Sequence, residues 1–178
     1  MNNTYHTGDR VLILKNFYSL KHNDIVVFQK GKENLIKRCV GLPGETIAIK
    51  NGKIYADNYL IPLPQKAILG NTSEIDPFSL SEIHFMYGTN WTINNFGSYK
   101  TPLKGFKIPT TTQNLNLYGK LIEEDNTNKN PILKNTFYTF QNNYIFLIGD
   151  NRVESVDSRF YGPIKESALN GKVIFKIF

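Results

Sequence analysis

The sequence contains little cysteine, histidine or methionine, with one Cys, three His and two Met among 178 residues. A single thiol, Cys39, excludes an intrachain disulfide framework and any zinc site built on cysteines. No apolar run approaches the roughly 18 residues needed to span a bilayer, and no secretory signal pattern is present. From these absences we expect the chain, as written, to be soluble.

The remaining composition is that of an ordinary globular protein. Hydrophobic residues make up 40% and charged residues 20%, which excludes disorder as the main state. A chain of this length buries roughly 70% of its unfolded surface and forms one or two domains. The 21 Lys and Arg exceed the 15 Asp and Glu by 6, but they are scattered. We therefore expect no nucleic-acid partner; the basicity fits simple solubility or a weak attraction to acidic lipid head groups.

Short apolar runs rich in branched residues predict strands along most of the chain. These predicted strands cover residues 10–15, 24–29, 35–40, 46–50, 53–57, 138–140, 144–148 and 171–178. The pair Asn51-Gly52 predicts a hairpin with a type I′ turn, and residues 141–143 predict a second hairpin. The middle of the chain has fewer apolar runs. There we predict helices at 76–86 and 112–124 and a polar loop at 123–134.

Lys37 lies inside an apolar run, LIKRCV. Strand alternation places Lys37 and Cys39 on one face and Arg38 on the other, so a cation lies at or near the core whichever face is buried. Burial lowers the pKa of a lysine, and a neutral lysine is a competent general base for a hydroxyl nucleophile. The alternative is an edge-strand lysine whose ammonium group stays in water.

The densest polar segment of the chain reads GDNRVESVDSR and directly follows a strongly apolar strand. Its opposite charges lie two residues apart, Asp150 with Arg152 and Asp157 with Arg159, so each pair could close a tight turn. A loop made rigid in this way would suit the presentation of one hydroxyl, such as Ser155. A salt-bridged turn without further function fits the pattern equally well.

The three histidines give no catalytic or metal-binding pattern. None has metal-ligand spacing to another His, Cys or acidic cluster, and no Gly-x-Ser-x-Gly nucleophile motif is present. We interpret His6, His22 and His84 as structural.

Taken together, the two segments resemble the type I signal peptidases, which are membrane-bound serine endopeptidases with a Ser/Lys dyad. The first motif reads IKRCVGLPGE at 36–45, and the second runs from GDNR at 149–152 through Ser155 to DSRFYGP at 157–163. Weaker family-like features are GKIY at 52–55, NW at 90–91, NFG at 95–97 and GKV at 171–173. The resemblance covers most of the chain.

The resemblance implies roles for the residues that match these motifs. Lys37 matches the general base, and Ser155 matches the hydroxyl that helps to orient it. Four further residues are implied as structural support for the loop: Asp150, Arg152, Asp157 and Arg159.

The resemblance also implies a substrate-binding region. Leu35 and Ile36 precede the base on a strand that in the family pairs with extended substrate, a form of β-strand addition. Tyr5 matches a position lining the pocket for the small side chain before the cut bond, and Met1 matches the methionine of the nucleophile motif.

The start of the chain departs from the family pattern, which reads Ser-Met-x-Pro-Thr followed shortly by Gly-Asp. Here the sequence is MNNTYHTGD, and alignment on Gly8-Asp9 places Thr4 on the motif threonine and the nucleophilic serine immediately before Met1. Asn3 replaces the usual proline, and Val153-Glu154 replaces the usual Asp-Asn. The upstream membrane anchor and the oxyanion-hole hydroxyl are likewise absent.

We therefore expect the chain as given to be inactive, with Thr4 and Ser155 poor substitutes as nucleophiles. Two explanations remain open. The chain is either a shortened form of an active peptidase or a natural non-catalytic relative that binds extended peptides or partner proteins.

We predict a mainly β, signal-peptidase-like fold. Its catalytic core would comprise residues 1–45 and 144–178, and an inserted β-rich domain would comprise residues 46–143. The resemblance implies removal of signal peptides from exported preproteins at the outer (periplasmic) face of the bacterial cytoplasmic membrane. It implies no metal and no organic cofactor.

Overall fold

A computed structural model describes residues 1, 4–6, 8–15, 19–65, 67–69, 77–127 and 136–177, without the side chains of residues 77 and 79. Strands dominate this part of the chain, which confirms the mainly β class. Every predicted strand is present, with ends that differ from the prediction by no more than two residues. Residue 178, the predicted end of the last strand, lies outside the described residues.

A six-stranded antiparallel sheet is built from the two ends of the chain. Its strand order is β1-β12-β2-β3-β10-β11. In that order the strands are Val11–Leu14, Leu169–Lys176, Ile25–Lys30, Glu33–Gly41, Tyr144–Ile148 and Ile164–Lys165. β3 is therefore an inner strand, paired with β2 on one side and with β10 on the other.

Two smaller sheets come from the middle of the chain. A four-stranded sheet has the order β6-β5-β4-β7, and a two-stranded sheet joins β8 to β9. In chain order these strands are Thr46–Lys50, Lys53–Ala56, Tyr59–Ile61, Phe96–Lys100, Lys107–Pro109 and Phe137–Thr139. The β4–β5 hairpin confirms the predicted turn, because Asn51 and Gly52 have φ of 49° and 77°. The division into a core and an inserted domain stays a prediction.

The second predicted hairpin is wrong. β9 pairs with β8, and β10 pairs with β3 and β11, so the two strands that flank residues 141–143 do not pair with each other. The segment between them is instead held by Asp125, which accepts hydrogen bonds from the Gln141 backbone and the Asn142 side chain at 2.7 Å each. These contacts direct the chain away from a tight turn.

Helices form close to the predicted positions. α1 covers Pro77–Tyr87 and α2 covers Thr112–Asp125, and a single turn, α3, covers Ser158–Tyr161. A 3₁₀ turn, Glu166–Ala168, precedes the last strand. The start of the predicted polar loop at 123–134 is still helical, and residues 128–135 lie outside the described residues. No described helix is long and apolar enough to cross a membrane.

Both faces of β3 are buried, each against a different apolar cluster. Cys39 packs with Val26, Phe28, Ile145 and Leu147, whereas the next residue, Val40, belongs to the larger cluster that includes Ile47, Tyr99 and Phe146. Alternating side chains of this strand therefore enter two cores. Lys37 and Arg38 both lie near the interior as a result, with 9% and 8% of their surfaces exposed.

Candidate active site

Lys37 and Ser155, 118 residues apart in sequence, meet in the interior. The Lys37 Nζ atom donates a hydrogen bond of 3.0 Å to Ser155 Oγ, and both side chains are buried. β3 carries the lysine, and the loop after β10 carries the serine. The register of the β3–β10 pair, with Ile148 opposite Arg38, brings this loop beside the lysine.

Burial lowers the pKa of Lys37 below its usual value of 10.5. Removal of water penalises the ammonium form, and the positive charge of Arg159 lowers the pKa further. The carboxylates of Asp157 and Asp150 act in the opposite direction without cancelling the effect of burial. The neutral amine, which can accept a proton, is therefore easier to form here than in an exposed lysine.

Asp157 and Arg159 form a fully buried, bidentate ion pair. Arg159 Nε and Nη2 donate to the two carboxylate oxygens at 2.9 and 2.8 Å. Asp157 also accepts from the Gly149 backbone at 3.0 Å, which ties the two ends of the loop together. Burial alone would raise the pKa of Asp157, but the Arg159 charge and these hydrogen bonds outweigh it and lower that pKa.

Asp150 pairs with Arg38, so the predicted pairing with Arg152 is wrong. Arg38 Nε and Nη2 each donate to one Asp150 oxygen at 2.8 Å. The third donor of this guanidinium, Nη1, binds the Asn23 carbonyl at 2.8 Å. Strand pairing brings Arg38 to the start of the loop, whereas separation along the sequence had suggested a partner two residues away.

Arg152 supports the loop through its backbone. Its carbonyl accepts from Arg159 Nη2 at 2.9 Å. Its side chain is 3% exposed, and Nε has no hydrogen-bond partner among the described residues. Burial lowers the pKa of this guanidinium to about 10, and the neighbouring charge of Arg159 contributes to the shift.

Met1 and Thr4 are held against the same loop. Thr4 Oγ1 donates to Asp150 Oδ2 at 2.7 Å, and the Asp150 backbone N–H points to Met1 Sδ at 3.3 Å. The Met1 amino group is itself partly buried beside Lys37. Burial lowers the pKa of this amino group, and the charge of Lys37 lowers it further.

A cavity of about 370 Å³ opens beside this arrangement. It is bounded by the first residues of the chain on one side and by β2 and β3 on the other, and it includes all four residues predicted to contact substrate: Met1, Tyr5, Leu35 and Ile36. β10 pairs only with residues 38–41 of β3. Residues 33–36 therefore lack a strand partner on that side within the described part of the chain, and residues 34–36 line the cavity.

The sequence matches the family described as "Signal peptidase, peptidase S26" over residues 1–178. This chain belongs to the signal peptidase family. The relatives include signal peptidase I V of Bacillus subtilis (strain 168), which is 28% identical over 182 residues, or 97% of this chain and 77% of that protein. The inactive signal peptidase IA of Staphylococcus aureus is 30% identical over 99 residues, or 54% of this chain and 55% of that protein.

A crystal structure of a signal peptidase I from Enterococcus faecalis V583 gives a TM-score of 0.43 at 18% identity. The match covers 88% of this chain and 98% of that chain.

Three residues of this signal-peptidase site were missed from the sequence. Arg38 had been placed near the core without a partner, and its bidentate contact with Asp150 follows from the strand register. Thr4 matched the motif threonine, but its hydrogen bond to Asp150 was not predicted. Ile68, whose backbone binds Asp150 and Arg152, lies in a segment whose sequence carries no signal for this role.

Other reactive groups in the described part of the chain do not contact Lys37 or Ser155. His22 Nε2 lies 2.8 Å from Glu45 Oε2, and His84 Nδ1 lies 2.9 Å from the Thr89 carbonyl. Burial raises the pKa of the Cys39 thiol to about 12, which makes it a poor nucleophile. Across the described ranges, no three His, Cys, Asp or Glu side chains are grouped to hold a metal ion.

Proposed function

We propose that this chain carries the general base of a signal peptidase I, Lys37, and that it cuts signal peptides from exported preproteins once a nucleophilic serine precedes Met1. The observation that carries the proposal is the Lys37 amine, buried in the interior and hydrogen-bonded to Ser155 at 3.0 Å. Burial of an ammonium is costly for folding. A lysine held there with a lowered pKa is suited to proton transfer.

The substrate would bind as an added strand. Residues 33–36 of β3 offer an open backbone edge next to the base, and an extended peptide could pair with it. The cavity wall formed by Met1, Tyr5, Leu35 and Ile36 would then receive the side chain before the cut bond. This wall is largely apolar, which fits a small, uncharged residue at that position of the signal peptide.

The nucleophile in this proposal is the hydroxyl of a serine that is joined by a peptide bond to the Met1 amino group. It attacks the scissile carbonyl while neutral Lys37 takes the hydroxyl proton, and the leaving amine then takes that proton from Lys37. Water next attacks the resulting ester as Lys37 accepts a proton from it. The ester C–O bond then breaks, the signal peptide leaves as a carboxylic acid, and the serine oxygen takes the proton from Lys37, which regenerates both groups. Neither a metal nor an organic cofactor takes part in any step.

The site of action would be the outer face of the cytoplasmic membrane. A signal peptide becomes accessible there as its precursor crosses the bilayer, and the membrane surface is the second partner that we propose. The substrate is an extended polypeptide rather than a nucleic acid.

The test is a chain carrying one additional serine attached to Met1. We expect it to cut a signal-peptide substrate, and we expect Lys37→Ala to abolish that activity. The unmodified chain should show no turnover. Cleavage by the unmodified chain that depends on Lys37, or undiminished cleavage by the serine-bearing Lys37→Ala variant, would contradict the proposal.

A second candidate function is peptide binding without cleavage. A similar protein of Staphylococcus aureus carries the name inactive signal peptidase IA, and this candidate needs the open edge of β3 but no nucleophile. Saturable binding of a signal peptide without turnover, by both the serine-bearing and the unmodified chain, would favour it. Weaker binding after Ile36→Pro, which distorts the β3 edge, would support the same conclusion.

A further inference from the structure

Residues 67–69 run parallel to the first part of the loop that leads to Ser155. Ile68 forms a parallel bridge with Asn151. The Ile68 N–H donates to the Asp150 carbonyl at 2.9 Å, and the Arg152 N–H donates to the Ile68 carbonyl at 2.8 Å. One residue therefore satisfies a backbone group on each side of Asn151. We call residues 67–69 the strap.

A circuit of hydrogen bonds connects the strap to the charged residues beside Lys37 and Ser155. Upstream of the strap, the Pro62 carbonyl accepts from Asn23 Nδ2 at 3.0 Å. The Asn23 carbonyl in turn accepts from Arg38, which holds Asp150 through two bonds. The circuit closes at the Asp150 carbonyl, which accepts from Ile68. Its members Arg38 and Asp150 directly adjoin Lys37 and Gly149 in sequence.

The two backbone groups bound by Ile68 belong to buried residues. Asp150 is fully buried and Arg152 is 3% exposed. Buried backbone groups require partners, and water is the usual replacement when a protein partner is lost. Without the strap, water would have to reach the Asp150 carbonyl and the Arg152 N–H. Hydration at this point would weaken the desolvation that lowers the pKa of Lys37.

We infer that Ile68 is a positioning residue for the Lys37–Ser155 contact: its backbone holds the loop that places Ser155 against Lys37 and keeps water from that loop. The inference rests on the proposed function for its catalytic meaning. Because Ile68 acts through its main chain, we expect its side chain to be replaceable and its N–H to be required.

The variant that tests this is Ile68→Pro, which removes the N–H donor to Asp150, replaces the side chain and fixes φ at this residue. Two controls match it. Ile68→Ala keeps both backbone hydrogen bonds, and Leu69→Pro places a proline one residue later, where no backbone hydrogen bond is found among the described residues. If Ile68→Pro fails to fold, Asn23→Gly opens the same circuit at Pro62. Asn23 has φ of 69°, so glycine adopts its backbone without strain.

Two measurements test this inference, and both use chains without the added serine. Amide exchange at Gly149, whose N–H binds Asp157, should accelerate at least about tenfold in Ile68→Pro while Val40 and Ile47 exchange as before. NMR titration of labelled lysine should show the pKa of Lys37 rising by at least about half a unit toward its usual value. Neither quantity should change in the two controls.

Unchanged Gly149 exchange in Ile68→Pro would overturn the inference, as would equal acceleration in Leu69→Pro or Ile68→Ala. The failure of the proposed function is visible separately. In that case Lys37 of the parent chain would titrate at its usual value, and the Gly149 amide alone would then decide whether the strap holds the loop.

Discussion

Gly149 leaves the space that the Ser155 hydroxyl occupies. A β-carbon added at residue 149 would lie 2.1 Å from Ser155 Oγ, 2.6 Å from its Cβ and 3.6 Å from Lys37 Nζ. The first two distances are shorter than real carbon contacts allow. Glycine at this position therefore permits the 3.0 Å contact between Lys37 and Ser155, and no other residue type could stand there without moving the serine.

Gly149→Ala should separate Ser155 from Lys37 and lower the free energy of unfolding by about 1–3 kcal/mol, because the extra methyl overpacks a buried site. Denaturant unfolding measures the stability, and NMR of labelled lysine monitors the contact between Lys37 and Ser155. The matched control is Gly119→Ala in α2, where nothing lies within 4 Å of the added β-carbon. That change should raise stability by about 0.5–1 kcal/mol. Equal stability of the Gly149→Ala variant and the parent chain would show that the loop adapts freely.

Lys37→Met should stabilise the chain most at low pH, since it removes a buried ammonium while keeping a side chain of similar length. The pKa of Lys37 in the folded chain lies below the unfolded value of 10.5. Between these two pKa values the unfolded chain binds more protons, so Lys37 makes stability rise with pH across that window. The advantage of the variant should therefore shrink as pH rises toward 10.5. Urea unfolding at several pH values measures this, and a constant difference would contradict it.

Arg159→Met should lower the free energy of unfolding by about 3–5 kcal/mol at pH 7, because it leaves the fully buried Asp157 carboxylate without its partner. This loss of unfolding free energy should become smaller at acidic pH. In the parent chain the lowered pKa of Asp157 gives stability that is lost as pH falls through that pKa. In the variant, burial would raise the same pKa, so protonation would relieve the penalty.

Lys172→Met is the control for that experiment. It removes the more exposed ion pair between Lys172 and Asp24, in which the charged atoms are 2.8 Å apart, and should cost about 0–1 kcal/mol. A similar loss in both variants, or a loss in Arg159→Met that does not change with pH, would argue against an unpaired buried carboxylate as the cause.

Thr4→Val should loosen the first residues of the chain from the loop, since the Thr4 hydroxyl donates to Asp150 at 2.7 Å. Loss of a hydrogen bond to a charged group should cost about 1.5–3 kcal/mol. The pKa of Asp150 should also rise, because this bond is one of the contacts that lower it. Carboxyl NMR tests the shift. Thr4→Ser, which keeps the hydroxyl, should match the parent, and an unshifted Asp150 in Thr4→Val would refute the assignment.

Much of the local structure is encoded within short stretches of sequence. Branched apolar runs predicted the strands, and Asn51-Gly52 predicted a turn because both residues tolerate positive φ. The α2 helix likewise begins after Thr111, whose side chain accepts from the Asn114 backbone. Such features depend on residues a few positions apart, so local steric preferences are sufficient to predict them.

Pairings between distant residues were harder to predict. The hairpin expected around residues 141–143 is wrong because Asp125 holds that segment and because β9 and β10 have other partners. Asp150 was expected to pair with Arg152, two residues away, but strand register places Arg38 beside it. Proximity in sequence is a poor guide where two strands meet.

For this protein, the sequence by itself determined eight of the twelve described strands, the two longer helices and the family, because propensities and motifs are properties of short segments. It also indicated Lys37 and Ser155, through the motifs that contain them. Only the tertiary structure decided that both faces of β3 are buried, that Gly149 leaves room for the serine hydroxyl, and that Ile68 binds the loop. These outcomes depend on burial and on contacts between distant segments, which exist only once the sheets have packed together.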